Sequence, residues 1–304
     1  MLPLKSDVSS SPLATASPST YFPLLAVCKY FLIANMKFSG VLSALTLASA
    51  AAAFKVNNKQ YATTTVAGVK VVDTKLVREA RKAIEVFEDL QPYLVKHLYR
   101  TWLFGAAAIN ANETLYNTVD LELHAVGTLL HDLGWDMREN SPFVTQDQRF
   151  EVDSGFAAVQ IVKDVIKGDS CAEKKWTESR LEKLYDGISL QTELSIITGK
   201  NLQSQWIVNS VGLEFPGPRN PLIPEADYNN VLASYPNDYL FRGSNITFTY
   251  LAGAKPAGSY NTFLQDFGEA YVPGYNATGH RLFDILLEGL AAETEKHPDA
   301  TIDS

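Results

Sequence analysis

Apolar residues recur every three or four positions along most of the chain, a spacing that places them on one face of an α-helix. Segment 74–90 has this pattern with charged residues opposite, and Pro92 opens a second helical segment. Gly134 and Gly168 are placed to end two further helices. The remaining segments with a helical period are 120–134, 149–167, 176–192, 224–235 and 279–297.

Two stretches depart from the helical pattern. Segment 214–224 holds four prolines, which predicts a loop. Segment 243–250 is β-like in composition, and its state stays open from the sequence. We find no internal repeat and no linker within 54–304. The pattern therefore predicts one all-α domain, a helical bundle over residues 54–304.

The first fifty residues are read differently from the rest. Residues 36–53 combine a basic residue, Lys37, with an apolar run and small residues that supply cleavage sites, as in a secretory signal peptide. Residues 1–35, rich in Ser, Pro, Thr and Ala, are either a gene-model extension before a true start at Met36 or an unstructured leader. The apolar runs fall short of the ~20 residues of a spanning helix, so we expect no stable membrane anchor in the mature form.

Composition supports a secreted globular protein. The 304 residues carry a formal net charge of −8 and no run of like charges, which argues against a nucleic-acid partner. Removal of residues 1–53, which include Cys28, leaves Cys171 as a single cysteine, so no internal disulfide is expected. Three glycosylation triplets begin at Asn112, Asn245 and Asn276. We therefore expect a glycoprotein that is secreted or resides in the lumen of the secretory pathway.

The adjacent pair His131 and Asp132 is the main chemical feature. Neighbouring residues on a helix point about 100° apart, so this pair converges on one ion only near a helix end. His97 lies on another helix that could pack opposite, with Arg100 one turn further on to stabilise negative charge. Nitrogen and carboxylate ligands suit Zn²⁺, Fe²⁺, Mn²⁺ or Ni²⁺. His124, about 10 Å from His131 along the helix axis, is expected to pack or support rather than share the ion.

Several segments, in this order, resemble the HD-domain superfamily of metal-dependent hydrolases. His97 with Arg100, followed by LLHDLG at 129–134, is similar to that superfamily's signature. The closest similarity is to its fungal cyanamide hydratase-like branch. That similarity rests on RFEVDSGFAA (149–158), LYDGISLQT (184–192), GLEFPGP (212–218) and AKPAGSYNTFLQDFG (254–268).

The resemblance implies a set of functional residues. His97, His131 and Asp132 would be metal ligands, with Glu214 in a fourth place that is normally Asp. Gln191 stands where the family usually has His, and an amide cannot shuttle a proton at neutral pH. The resemblance thus implies an HD-type fold and one divalent transition metal, with zinc expected first. Asp132, Arg100 and Gln191 would serve the chemistry.

Three functions remain open at this point. The first is a metal-dependent hydrolase or hydro-lyase that uses a metal-activated water on a small nitrile-like or amide-like substrate. The second is a phosphohydrolase of nucleotides or phosphate esters, although few basic residues surround the motif. The third is a secreted, non-catalytic HD-fold binding protein. In each case the expected partner is a small molecule, and a homo-oligomer is possible.

Overall fold

The described residues fold into helices that pack around three central ones, preceded by a short β-hairpin. This is seen in a computed structural model that describes residues 56–214 and 219–298. The strands are β1 (Thr63–Val66) and β2 (Val69–Val72). The helices are α1 (Lys75–Ile84), α2 (Pro92–Asn110), α3 (Glu113–Thr118), α4 (Leu121–Leu130), α5 (Phe150–Ile166), α6 (Ser170–Lys175), α7 (Glu178–Ser189), α8 (Leu194–Ile197), α9 (Leu202–Glu214), α10 (Glu225–Ser234), α11 (Leu240–Ala254), α12 (Leu264–Tyr271) and α13 (Leu282–Lys296).

The mostly helical character confirms the predicted all-α class. Helix α2 begins at Pro92, where the missing backbone N–H costs nothing. Helix α5 ends at Ile166, and Gly168 follows with a φ of 82°, the left-handed conformation that glycine tolerates. The leader predicted at 1–35 and the signal segment at 36–53 lie outside the described residues. No helix in the described part of the chain is long and apolar enough to cross a membrane.

The structure settles two segments that the sequence did not assign. Residues 63–72 form an antiparallel hairpin, in which Ala67 and Gly68 take φ values of 46° and 81°. Positive φ at both central residues matches the twist of the two strands. Segment 243–250, β-like in composition, lies inside α11, because its buried positions Gly243, Thr247 and Leu251 recur at helical spacing.

Helices α2, α4 and α9 meet at the centre of the fold. Gly105 of α2 makes this close approach possible. A Cβ at this position would lie 2.1 Å from Ser210 Oγ on α9 and 2.4 Å from His124 Nε2 on α4. The central helices therefore pack at a distance that no larger residue at 105 allows, and they carry the polar residues described next.

Candidate metal centre

His97 lies in the middle of α2, almost completely buried. Its Nδ1 bonds to the carboxylate of Glu214, the last residue of α9. That carboxylate also accepts from the Arg100 guanidinium and, at 3.1 Å, from Thr101 Oγ1. An ionised carboxylate can only accept a hydrogen bond, so Nδ1 of His97 carries a hydrogen. In the neutral ring, Nε2 then presents the lone pair that a metal would bind.

His131 and Asp132 lie at the end of α4, where the helix stops at Leu130. Asp132 has left helical geometry, with φ −115° and ψ 29°, so the two side chains converge. His131 Nδ1 lies 2.8 Å from the carbonyl of Thr128, an acceptor only. Nδ1 therefore carries the hydrogen here too, and the Nε2 lone pair of His131 is directed at His97.

The three side chains bring their donor atoms into one small triangle. His97 Nε2 lies 3.1 Å from His131 Nε2 and 3.1 Å from Asp132 Oδ2, and His131 Nε2 lies 3.2 Å from the same oxygen. An ion with bonds of ~2.0–2.1 Å would hold its ligand atoms about 2.9 to 3.4 Å apart. The spacing of the triangle therefore fits a divalent transition metal.

A further observation points to a missing ligand at this position. Asp132 Oδ1 is buried and has no hydrogen-bond partner among the described residues. A buried carboxylate oxygen without a partner is costly, so such an atom calls for an explanation. An ion or a water held beside the triangle would satisfy it.

The electrostatics of the cluster favour a cation. Burial disfavours the charged form of each group, but the Glu214 and Asp132 carboxylates outweigh it and raise the pKa of His97 to about 9. In the same way, His131 and His97 overcome burial and lower the pKa of Asp132 to about 2. Burial also opposes the charge on Glu214, but His97 and Arg100 lower its pKa. The cluster therefore holds a proton on His97 beside two ionised carboxylates, and a metal ion bound at Nε2 would replace that proton.

Glu214 has a different position from the one that the resemblance implied. The group able to hold a metal consists of His97, His131 and Asp132. Glu214 bonds to the opposite ring nitrogen of His97, with the imidazole between its carboxylate and the triangle. The structure therefore makes Glu214 an orienting partner of a ligand and does not bring it into the ligand group.

Arg100 and Gln191 are close to the centre but engaged with protein groups. Beside its pairing with Glu214, Arg100 donates to the carbonyls of Tyr235, at 3.2 Å, and Pro236, at 2.7 Å. Gln191 Nε2 donates to the carbonyl of His131 at 2.8 Å. The expectation that Arg100 stabilises charge on a substrate therefore has no support from its contacts, and Gln191 braces the backbone of a ligand.

Two residues complete the surroundings of the triangle. Trp135 stacks on His97, with ring centroids 5.7 Å apart and planes 12° apart. His124 lies outside the triangle, where its Nε2 bonds to Ser210 Oγ at 2.8 Å and burial lowers its pKa to about 3. His124 thus has the packing role expected of it.

The sequence contains no indication of a role for Thr101, whose hydroxyl donates to the Glu214 carboxylate. Nothing in the sequence shows which carboxylate that hydroxyl would contact.

The comparisons with known proteins do not assign this site. No protein-family model matches the chain, and no curated protein matches it significantly. The geometry of the described residues therefore carries the functional argument that follows.

Proposed function

We propose that this protein is a metal-dependent hydrolase or hydro-lyase whose centre holds one divalent transition metal on His97, His131 and Asp132. The observation that carries the proposal is the triangle itself. Two imidazole nitrogens and one carboxylate oxygen face each other at 3.1–3.2 Å, and each imidazole has its other nitrogen fixed by a hydrogen bond. Such outer hydrogen bonds are the usual companions of metal-binding histidines.

The residues of the chain have separate tasks in this proposal. A divalent metal on these ligands would lower the pKa of a bound water toward about 7 and would polarise the substrate. Glu214 and the Thr128 carbonyl keep both histidines in the tautomer that offers Nε2. Asp132 Oδ1, which has no other partner among the described residues, is placed to accept a proton from that water.

The substrate class rests on the sequence resemblance. The order His97, then His131 with Asp132, and the segments similar to the cyanamide hydratase-like branch favour attack of water on a small nitrile-like or amide-like carbon. A phosphate ester has less support, because Arg100, one turn after His97, is engaged by Glu214 and two carbonyls. A polyphosphate usually needs several free Arg or Lys donors.

One observation favours a second candidate, a non-catalytic metal-holding protein. The side chains of His97, His131 and Asp132 are each exposed by no more than 1%. A substrate reaches them only when the surrounding groups move, whereas a structural ion needs no such access. Turnover that depends on the metal separates the two candidates.

Elemental analysis tests the shared part of both candidates. The protein is purified without chelator or nickel resin, beside His131→Ala and the exposed-histidine control His297→Ala. We expect about one equivalent of a transition metal in the parent and the control, and none in His131→Ala. Folded protein that contains no metal and takes up neither Zn²⁺, Fe²⁺ nor Mn²⁺ would refute the proposal.

Assays on the metal-loaded protein test the chemistry. Cyanamide, simple nitriles and amides are followed by urea or ammonia formation, and phosphate esters by phosphate release. Product that requires both the metal and His131 supports the enzyme, and the product identifies the substrate class. Full metal content without turnover of any of these substrates leaves the non-catalytic candidate.

A further inference from the structure

The last helix of the fold presents an unusual apolar surface. No residue of α13 is buried, although the helix carries six large apolar side chains that are 46–63% exposed. This apolar face of α13 consists of Leu282, Phe283, Ile285, Leu286, Leu287 and Leu290. Together they expose roughly 600 Å², the upper end of what a typical monomer shows as one patch. Within the described part of the chain, nothing covers the apolar face of this helix.

The polar residues of α13 limit what that surface can be. Asp284, Glu288 and Glu295 are spaced so that they share the opposite side of the helix. Lys296 is the only basic residue within the helix. Amphipathic helices that bind anionic membranes carry Lys and Arg on the polar side. The acidic polar side therefore favours a protein partner over an anionic lipid surface.

A second exposed apolar strip lies on α11 and α12. It consists of Tyr239, Ile246, Tyr250 and Tyr271, which are 37–72% exposed. We call these four residues the tyrosine strip. Tyr271 is adjacent to Val272, whose side chain lies 3.5 Å from the position of a Cβ on Gly253, one turn beyond Tyr250. The end of α12, which carries Tyr271, therefore lies beside the last turn of α11.

The strip matches the face of α13 in chemistry. Tyrosine is enriched at protein interfaces because its ring is apolar and its hydroxyl remains solvated. Arg242 is exposed in line with Tyr239 and Ile246, and Glu293, one turn beyond Leu290, is an exposed acidic residue on the apolar side of α13. Both surfaces belong to the same chain, so two copies can exchange them reciprocally around a two-fold axis.

We propose that the apolar face of α13 packs against the tyrosine strip of a second copy, so that the protein forms a symmetric dimer. The area that such a dimer would bury supports a second copy as the partner. One α13 face and one tyrosine strip from each copy would together bury about 2,000 Å², the size of a stable and specific interface. Pairing of the two α13 faces alone would bury only about 1,200 Å², at the lower limit of that class.

Sedimentation velocity over about 1–100 µM tests the proposal, with Leu286→Glu on α13 and Ile246→Glu on the strip. We expect a dimer for the parent and, for either variant, a dissociation constant at least about 100-fold higher, because each places a charge in an apolar contact. Glu288→Gln, on the opposite side of α13, is the matched control and stays dimeric. All three positions are exposed, so circular dichroism should show an unchanged fold.

Disulfide trapping separates the dimer from a helix that folds back onto its own chain. Leu286→Cys and Ile246→Cys are combined with Cys171→Ser, since Cys171 is exposed and would form other disulfides. A disulfide between two chains supports the proposal. A parent that is monomeric at 100 µM, a disulfide within one chain, or a dimer that survives Ile246→Glu would each overturn it. None of these outcomes depends on the metal or on catalysis.

Discussion

The change Glu214→Gln separates an orienting residue from a metal ligand. In the structure, the Glu214 carboxylate holds Nδ1 of His97 and the guanidinium of Arg100, and all three side chains are buried. Glutamine keeps the size and one acceptor oxygen but removes the charge. The substitution therefore affects two measurable quantities, the affinity for the metal and the free energy of unfolding.

The affinity for the metal should fall by a limited amount. Loss of an outer hydrogen-bond partner of a metal-binding histidine typically costs 10–100-fold in affinity, or about 1.4–2.7 kcal/mol. Loss of a metal ligand itself would reduce the affinity far more, because the ion would lose one of its bonds. Competition against a chromophoric chelator measures this difference, and Glu225→Gln at an exposed glutamate serves as the control.

The stability of the metal-free protein should fall more steeply. Removing one partner of a buried ion pair costs about 3–5 kcal/mol, because the remaining charge, here on Arg100, is left without compensation. The double variant Arg100→Met with Glu214→Gln should recover part of that loss, since it removes both charges. Urea denaturation of the single and double variants gives the coupling between the two side chains.

Two results would refute this reasoning. If Glu214→Gln binds zinc with unchanged affinity, the hydrogen bond to His97 does not orient a ligand. If the variant folds but binds no zinc at all, Glu214 is itself a ligand, as the family resemblance implied, and the arrangement around His97 must be redrawn.

Three other predictions concern the packing of the centre and the ion. His124 stays neutral in the fold with a pKa of about 3 but titrates near 6.5 when unfolded, so its stabilisation is complete above pH 6.5 and is lost as the pH falls. Between pH 8 and pH 5 the parent should lose about 2 kcal/mol more than His124→Gln in urea titrations, and equal losses would contradict a buried neutral imidazole. Gly105→Ala should destabilise by about 1–3 kcal/mol, because its Cβ would overlap Ser210 and His124; an unchanged melting temperature would show that α2 and α9 are less closely packed. Chelation should lower the melting temperature. If free metal is held at about 100 times the dissociation constant of the site, its removal should lower the free energy of unfolding by about 2.7 kcal/mol. The melting temperature of His131→Ala should not respond to chelator.

The sequence predicts those parts of the fold in which local pattern and packing agree. Helix α2 follows from Pro92 and a continuous apolar segment, and the structure confirms it. The hairpin at 63–72 is missed because two four-residue strands give little periodic signal. Segment 243–250 shows the opposite case, in which β-branched and aromatic residues lie in a helix. Burial against neighbouring helices outweighs their weak preference for strands.

The grouping of His97, His131 and Asp132 was implied by the family resemblance, and the position of the His-Asp pair at a helix end is consistent with it. The contacts of Arg100 and Gln191 could not be predicted from the sequence. They depend on backbone carbonyls at helix ends, which have no partner within the helix. Arg100 meets the carbonyls after α10, and Gln191 meets the carbonyl of His131 at the end of α4.

This hydrogen bond also changes the interpretation of Gln191, which stands where the family that the sequence resembles usually has histidine. Sequence alone suggests that the loss of a titratable ring weakens catalysis. In the structure, the side chain at 191 donates a hydrogen bond to the backbone that positions His131, a task that an amide and an imidazole N–H perform equally well. Replacement by Leu should therefore impair metal retention, whereas Gln191→His should preserve it. If the two variants lose metal equally, position 191 acts through something other than this hydrogen bond.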